Sequence, residues 1–134
     1  MINKHIHISE GELYKAYKLF FNTFSSECRL KILNLLRKKP MNVSEIVKIL
    51  KMEQSIISHN LARLKSCGFI TQETKGKYRY YKLNKKTINP MLNLIDRHMI
   101  KNCLMIIREN KRRWKMKKEK CGYISPKALA MSLG

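Results

Sequence analysis

A chain of 134 residues with 44% apolar content is long enough for one domain with its own core, and 29 Lys+Arg against 9 Asp+Glu give it a formal charge of +20. A field of that sign attracts polyanions, either nucleic acid or an anionic membrane surface, although general lysine enrichment of an AT-rich genome would also raise it. No run of 18 apolar residues is present, which excludes a transmembrane helix; residues 1–12 lack the apolar core and cleavage site of a signal peptide, so the expected location is cytoplasmic.

In chain order, residues 1–9 read as a loose arm, 10–110 as a single domain and 111–134 as a basic extension. Ser9 ahead of Glu10 and Glu12 has the form of a helix start. Leu13, Ala16, Tyr17, Phe20 and Phe21 then recur at three- and four-residue spacing, which predicts a first helix through Phe24. Ser25 or Ser26 caps a second helix, with Glu27 near its positive end. That helix carries Leu30, Ile32, Leu33 and Leu36 on one side and stops before Pro40, which disfavours helical geometry at Lys39. Asn42 or Ser44 opens a short third helix, with Val43, Ile46, Val47 and Leu50 at i, i+3, i+4 and i+7.

After a turn from Lys51 to Glu53, a helix over 54–67 places Ile57, Leu61 and Leu64 on one face. Its other face carries Gln54, Ser55, Ser58, His59, Ala62 and Lys65, short or polar side chains suited to reading base edges in a major groove. Gly68 ends this helix as the residue type that tolerates positive φ. Two amphipathic helices joined so tightly form a helix-turn-helix, whose second member enters the groove. Phe69 to Glu73 is extended, Thr74 to Lys77 is a turn with Gly76 at its tip, and Tyr78 to Leu83 is a second strand. On that strand Tyr78, Tyr80 and Lys82 share one face, and Arg79, Tyr81 and Leu83 the other. A basic-tipped hairpin directly after a helix-turn-helix is a wing. Lys75, Lys77 and Arg79 are placed for phosphate or the minor groove, with Lys65 and Lys82 as further phosphate anchors.

From Thr87 a long final helix is predicted to about Lys118, with Pro90 acceptable in its first turn. Ile88, Leu92, Ile95, Met99 and Ile106 form its apolar stripe with Met91 and Cys103, and Ile100, Leu104 and Ile107 widen it. One small domain does not easily cover so long an apolar helix. It is therefore expected to pair with its copy in a homodimer, with the first helix beside it. Such a dimer presents two reading helices to a palindromic site, with half-sites about one helical turn apart. Residues 111–120 hold seven basic residues around Trp114, read equally as a solvated helix end or a direct nucleic-acid contact.

Cys28, Cys67, Cys103 and Cys121 are scattered without a C-x-x-C pair, which argues against a zinc knuckle or a disulfide framework. The first three fall at helical positions, where free Cys acts as a small apolar residue; Cys121 is the exposed member if a thiol switch exists.

Taken together, these residues resemble the ArsR/SmtB family of small winged-helix repressors over roughly Tyr14 to Cys103. The carriers are Leu19-Phe20, the run Ser26 to Leu36, Val43-Ser44-Glu45-Ile46, the block Gln54 to Leu64, and Gly68-Phe69-Ile70 leading to Gly76 through Leu83. The resemblance implies a mostly α fold with a small β-hairpin wing, and a homodimer built on the first and last helices. It also implies promoter binding that represses transcription, with Gln54, Ser55, Ser58 and His59 contacting bases and phosphates. Two departures bear on cofactors. Thiolate arsenic sensors of the family carry a Cys-Val-Cys-type motif on the third helix; here that segment is Asn42-Val43-Ser44-Glu45, so no arsenite or cadmium site of that kind is expected. Zinc sensors pair an Asp-x-His with a His and a Glu further along the last helix. Asp96-Arg97-His98 supplies the first half, but Glu109 stands at the His position and Arg112 at the acidic one. An Arg beside a cation opposes binding, so no cofactor is expected; Asp96, His98 and Glu109 are the candidates if zinc or another divalent metal binds. His5 and His7 lie on the arm, where ordering entropy opposes chelation.

The expected function is a sequence-specific, homodimeric regulator of transcription, a repressor, acting on double-stranded promoter DNA and not on a membrane. An architectural protein that coats DNA with little sequence preference is the alternative, because so high a charge can mask modest base readout at low salt. An enzyme is not expected: there is no Gly-rich phosphate loop, no paired acidic motif and no G-x-S-x-G.

Overall fold

The computed structural model describes residues 6–109. The elements run α1 (Glu10–Phe24), α2 (Glu27–Leu36), β1 (Met41–Asn42), α3 (Val43–Leu50), α4 (Gln54–Ser66), β2 (Ile70–Lys75), β3 (Tyr78–Leu83), α5 (Ile88–Lys101) and α6 (Cys103–Glu109). They divide at Lys82–Leu83 into two compact units.

In the first unit, α1 starts on a complete capping box. The Glu12 N–H donates to Ser9 Oγ (3.2 Å), and the Ser9 N–H donates to Glu12 Oε2 (3.0 Å). Hydrogen bonds to the charged form hold the Glu12 carboxyl below its ordinary range. Most of α1 is exposed, and its attachment is aromatic: Phe20 and Phe24 lie with ring centroids 5.3 and 4.8 Å from Phe69. Ser26 caps α2, and Ile32, Leu33 and Leu36 enter the core; Leu30 is only half-buried. Asn42 caps α3 in a second box with Glu45, and Lys51 closes it in the left-handed region (φ 54°). Of the predicted α3 stripe only Ile46 is fully buried. The core is filled by Ile32, Leu33, Leu36, Met41, Ile46, Ile57, Leu61, Leu64, Phe69 and Ile70, with α4 packed on α2, α3 and β2. Each such side chain contributes about 1.5–3 kcal/mol through burial.

The wing differs from its sequence reading in two respects. The first strand runs on to Lys75, leaving a turn of Gly76 and Lys77 alone in place of Thr74 to Lys77, while the second spans Tyr78 to Leu83 as expected. A two-residue turn demands positive φ at its first position, which Gly76 supplies at 61°. Second, the sheet has a third strand: its order is β1-β3-β2, with Met41 opposite Tyr81 and Asn42 opposite Tyr80, antiparallel. Two residues are too short for a period-2 signal, so β1 had no signature in the sequence.

In the second unit, the final helix is not continuous as expected. It breaks at Asn102, whose backbone N–H and side-chain amide both donate to the His98 carbonyl (3.0 Å each), and restarts as α6. Along the predicted stripe Ile88, Leu92 and Ile107 are buried, whereas Ile100 and Ile106 are exposed. The predicted continuation to Lys118, Trp114 and Cys121 lie outside the described residues.

Candidate nucleic-acid interface

α4 separates its two faces as the spacing requires. Ile57, Leu61 and Leu64 are fully buried, while Gln54, Ser55, Ser58, His59, Ala62 and Lys65 are all exposed. The helix ends in a double hydrogen bond, Phe69 N–H to the Leu64 carbonyl and Gly68 N–H to the Lys65 carbonyl (both 3.0 Å), made possible by Gly68 at φ 74°. That reversal turns the chain into β2, so only Cys67, Gly68 and Phe69 separate α4 from the hairpin.

The wing's basic residues do not stand alike. Lys75 and Lys82 lie on the Tyr80 face. The Lys75 ammonium is 6.0 Å from the Tyr80 ring centre, and Lys82 Nζ is 4.0 Å from the Glu73 carboxylate. Lys65 Nζ donates to Gln72 Oε1 (3.1 Å), tying the last turn of α4 to β2. Lys77 at the tip and Arg79 on the opposite alternation are exposed and form no ion pair among the described residues. Pairing of Asn42 with Tyr80 joins the start of α3 to β3, which fixes the hairpin against the base of the helix-turn-helix.

The sequence reading missed a polar network behind α4. Arg29 on α2 donates from Nε to the Thr23 carbonyl (2.9 Å), from Nη2 to the Asn22 carbonyl (3.2 Å) and from Nη1 to Asn60 Oδ1 (3.1 Å). The Asn60 amide donates in turn to the Ile56 carbonyl (2.9 Å) and to Cys28 Sγ (3.4 Å). One guanidinium thereby satisfies the carboxyl end of α1 and grips the reading helix. Asn60 does fall at i+3 from Ile57, on the buried face, so spacing could have flagged it; Arg29 had no such signal. Burial pushes the Cys28 thiol up, partly offset by Arg29 and Lys31. Three further exposed residues of α4 were passed over, Ile56, Arg63 and Ser66.

The metal candidates are separated by the helix break. Asp96 is half-buried on α5; His98 is exposed with Nδ1 3.4 Å from the Asn102 amide; Glu109 is exposed at the end of α6. No group of three or more His, Cys, Asp or Glu able to hold a metal occurs among the described residues. Cys28, Cys67 and Cys103 are free thiols, each half-buried.

The family model for bacterial regulatory proteins of the arsR family matches residues 26–72, from the cap of α2 into β2. The chain is 31% identical over 86 residues to the arsenical resistance operon repressor of Bacillus subtilis, covering 63% of this chain and 82% of that protein. This protein belongs to the arsR family. A second relative of this arsR-family chain, the transcriptional repressor SdpR of Bacillus subtilis, is 36% identical over 81 residues, covering 58% of this chain and 90% of its own. The fold matches the homodimeric winged helix-turn-helix DNA-binding domain of Mb0332 from Mycobacterium bovis with a TM-score of 0.65 at 22% identity, over 72% of this chain and 92% of that one. This arsR-family chain is thus a winged helix-turn-helix regulator of transcription and not an enzyme. No helix among its described residues is long and apolar enough to cross a membrane.

Proposed function

We propose that this arsR-family regulator is a cytoplasmic, sequence-specific repressor that binds double-stranded promoter DNA as a homodimer at a palindromic site. The observation that carries it is α4 itself: a continuous exposed face of small and polar side chains, held by three fully buried residues on the other side. Gln54, Ser55, Ser58 and His59 read base edges, Ala62 allows close approach, and Lys65, Lys75, Lys77, Arg79 and Lys82 meet phosphate. Of these cations Lys77 and Arg79 are the freest to do so. Exposed apolar residues on α1 (Tyr14, Tyr17, Leu19, Phe21) and on α5–α6 (Leu94, Ile100, Met105, Ile106) supply the faces through which two copies pair. The mycobacterial relative in fold is itself homodimeric.

Footprinting titration on a promoter recovered from cells tests the assignment. His59→Ala or Ser58→Ala is expected to weaken specific binding by about 1–3 kcal/mol while leaving binding to random DNA unchanged. Unaltered operator discrimination in His59→Ala would show that α4 is not the reading helix. The charge of +20 favours the second reading, a DNA-coating protein. Equal affinity for promoter and random DNA at roughly 0.2 M salt would select it.

A further inference from the structure

Ile56 is the one large apolar side chain exposed on α4 among the described residues, at 41% of its full surface. It occupies the third position of the helix, flanked by Ser55 and sharing one side of the coil with His59 and Arg63 at i+3 and i+7. Neither stability nor solubility favours a β-branched aliphatic there, because such residues are weaker helix formers than the straight-chain polar ones an exposed turn ordinarily carries. Its backbone is nonetheless held firmly: the Asn60 amide donates to the Ile56 carbonyl, and Arg29 holds Asn60 from behind. An apolar group is therefore presented, in a fixed position, from the amino-terminal turn of a recognition helix, the part of such helices that meets base edges. Along the major-groove edges of the base pairs, the distinctive apolar group is the 5-methyl of thymine.

We propose that Ile56 reads a thymine in each half-site through its 5-methyl group, beside the base contacted by His59. This deepens the proposed function and rests on it. Ile56 makes the site discriminate by shape and hydration at a position where the neighbouring Ser and His side chains discriminate by hydrogen bonds.

Deoxyuridine keeps every hydrogen-bonding group of thymidine and lacks only the methyl, so it isolates the contact. The full chain first selects its site from a random DNA library; each thymine of that site is then replaced singly by deoxyuridine and the affinity measured for the wild type and for Ile56→Ala. The expected result is one thymine per half-site whose replacement weakens the wild type about fourfold, the fold-change for burying one methyl, with no such loss in Ile56→Ala. Since Ile56 is exposed, the variant keeps the core, and its melting temperature checks that. Equal sensitivity of the two proteins at every thymine, or none in either, overturns the role of Ile56 and leaves the repressor reading standing. Failure to select any sequence overturns that reading and Ile56 with it.

Discussion

The Asn60 side chain uses both ends of its amide inside the protein, accepting from Arg29 and donating to the Ile56 carbonyl and Cys28. It is 8% exposed, so water does not replace a missing partner. Asn60→Ala is expected to lower unfolding stability by about 1–3 kcal/mol in urea titration, because it strands an Arg29 donor. Cys28 shares this surrounding, and burial raises its thiol above the ordinary value. Alkylation followed against pH should therefore show Cys28 reaching half-maximal reactivity at higher pH than the same cysteine in urea-unfolded chain; the same or a lower midpoint would contradict its burial. Glu12 shifts the other way. Its folded pKa lies below the unfolded value, so its capping contribution is present above that value and lost as pH falls through the lowered one. Amide exchange at the first turn of α1 should accelerate in that acid range in the wild type, and Ser9→Ala should remove the acid dependence.

At the scale of elements, two reversals set where α4 lies, and each depends on a residue with positive φ. Gly68 adopts 74°, and a Cβ placed there would meet nothing within 4 Å, so the cost of Gly68→Ala is purely conformational. A loss of about 1–2 kcal/mol is expected on thermal or chemical unfolding. Lys51 at φ 54° already bears that strain in the turn between α3 and α4. Lys51→Gly should accordingly stabilise the protein by up to about 1 kcal/mol, a change opposite in sign for the same physical reason. The three-stranded sheet does comparable positioning for the wing: pairing of β1 with β3 ties the hairpin to the residue that caps α3.

For the whole molecule, the charge of +20 makes ionic strength the controlling variable of any DNA affinity. Lys77→Ala should weaken promoter and random DNA alike and reduce the slope of log affinity against log salt by about one for each phosphate that is no longer neutralised. Association is tested separately. Tyr14, Tyr17 and Phe21 lie at i, i+3 and i+7 on α1 and are 63%, 53% and 62% exposed. Tyr17→Glu places a charge in that stripe and should convert a sedimenting dimer to monomer; an unchanged sedimentation coefficient would remove α1 from the proposed subunit interface.

Local spacing carried a great deal of this protein. The i, i+4, i+7 placement of Ile57, Leu61 and Leu64 sufficed to separate the faces of α4, and Ser9, Asn42, Gly68 and Gly76 marked helix starts and reversals, because caps and positive-φ positions are chosen by neighbours a few residues away. Folding decided what depends on residues far apart in the chain. A two-residue strand exists only because Met41 and Asn42 find Tyr81 and Tyr80. Arg29 acquires its role only when α1 and α4 bring three acceptors to one guanidinium. The break at Asn102 and the unequal engagement of Lys75, Lys77, Arg79 and Lys82 belong to the same class. Periodicity reports which way a side chain faces, whereas its partner is set by the packing of distant segments.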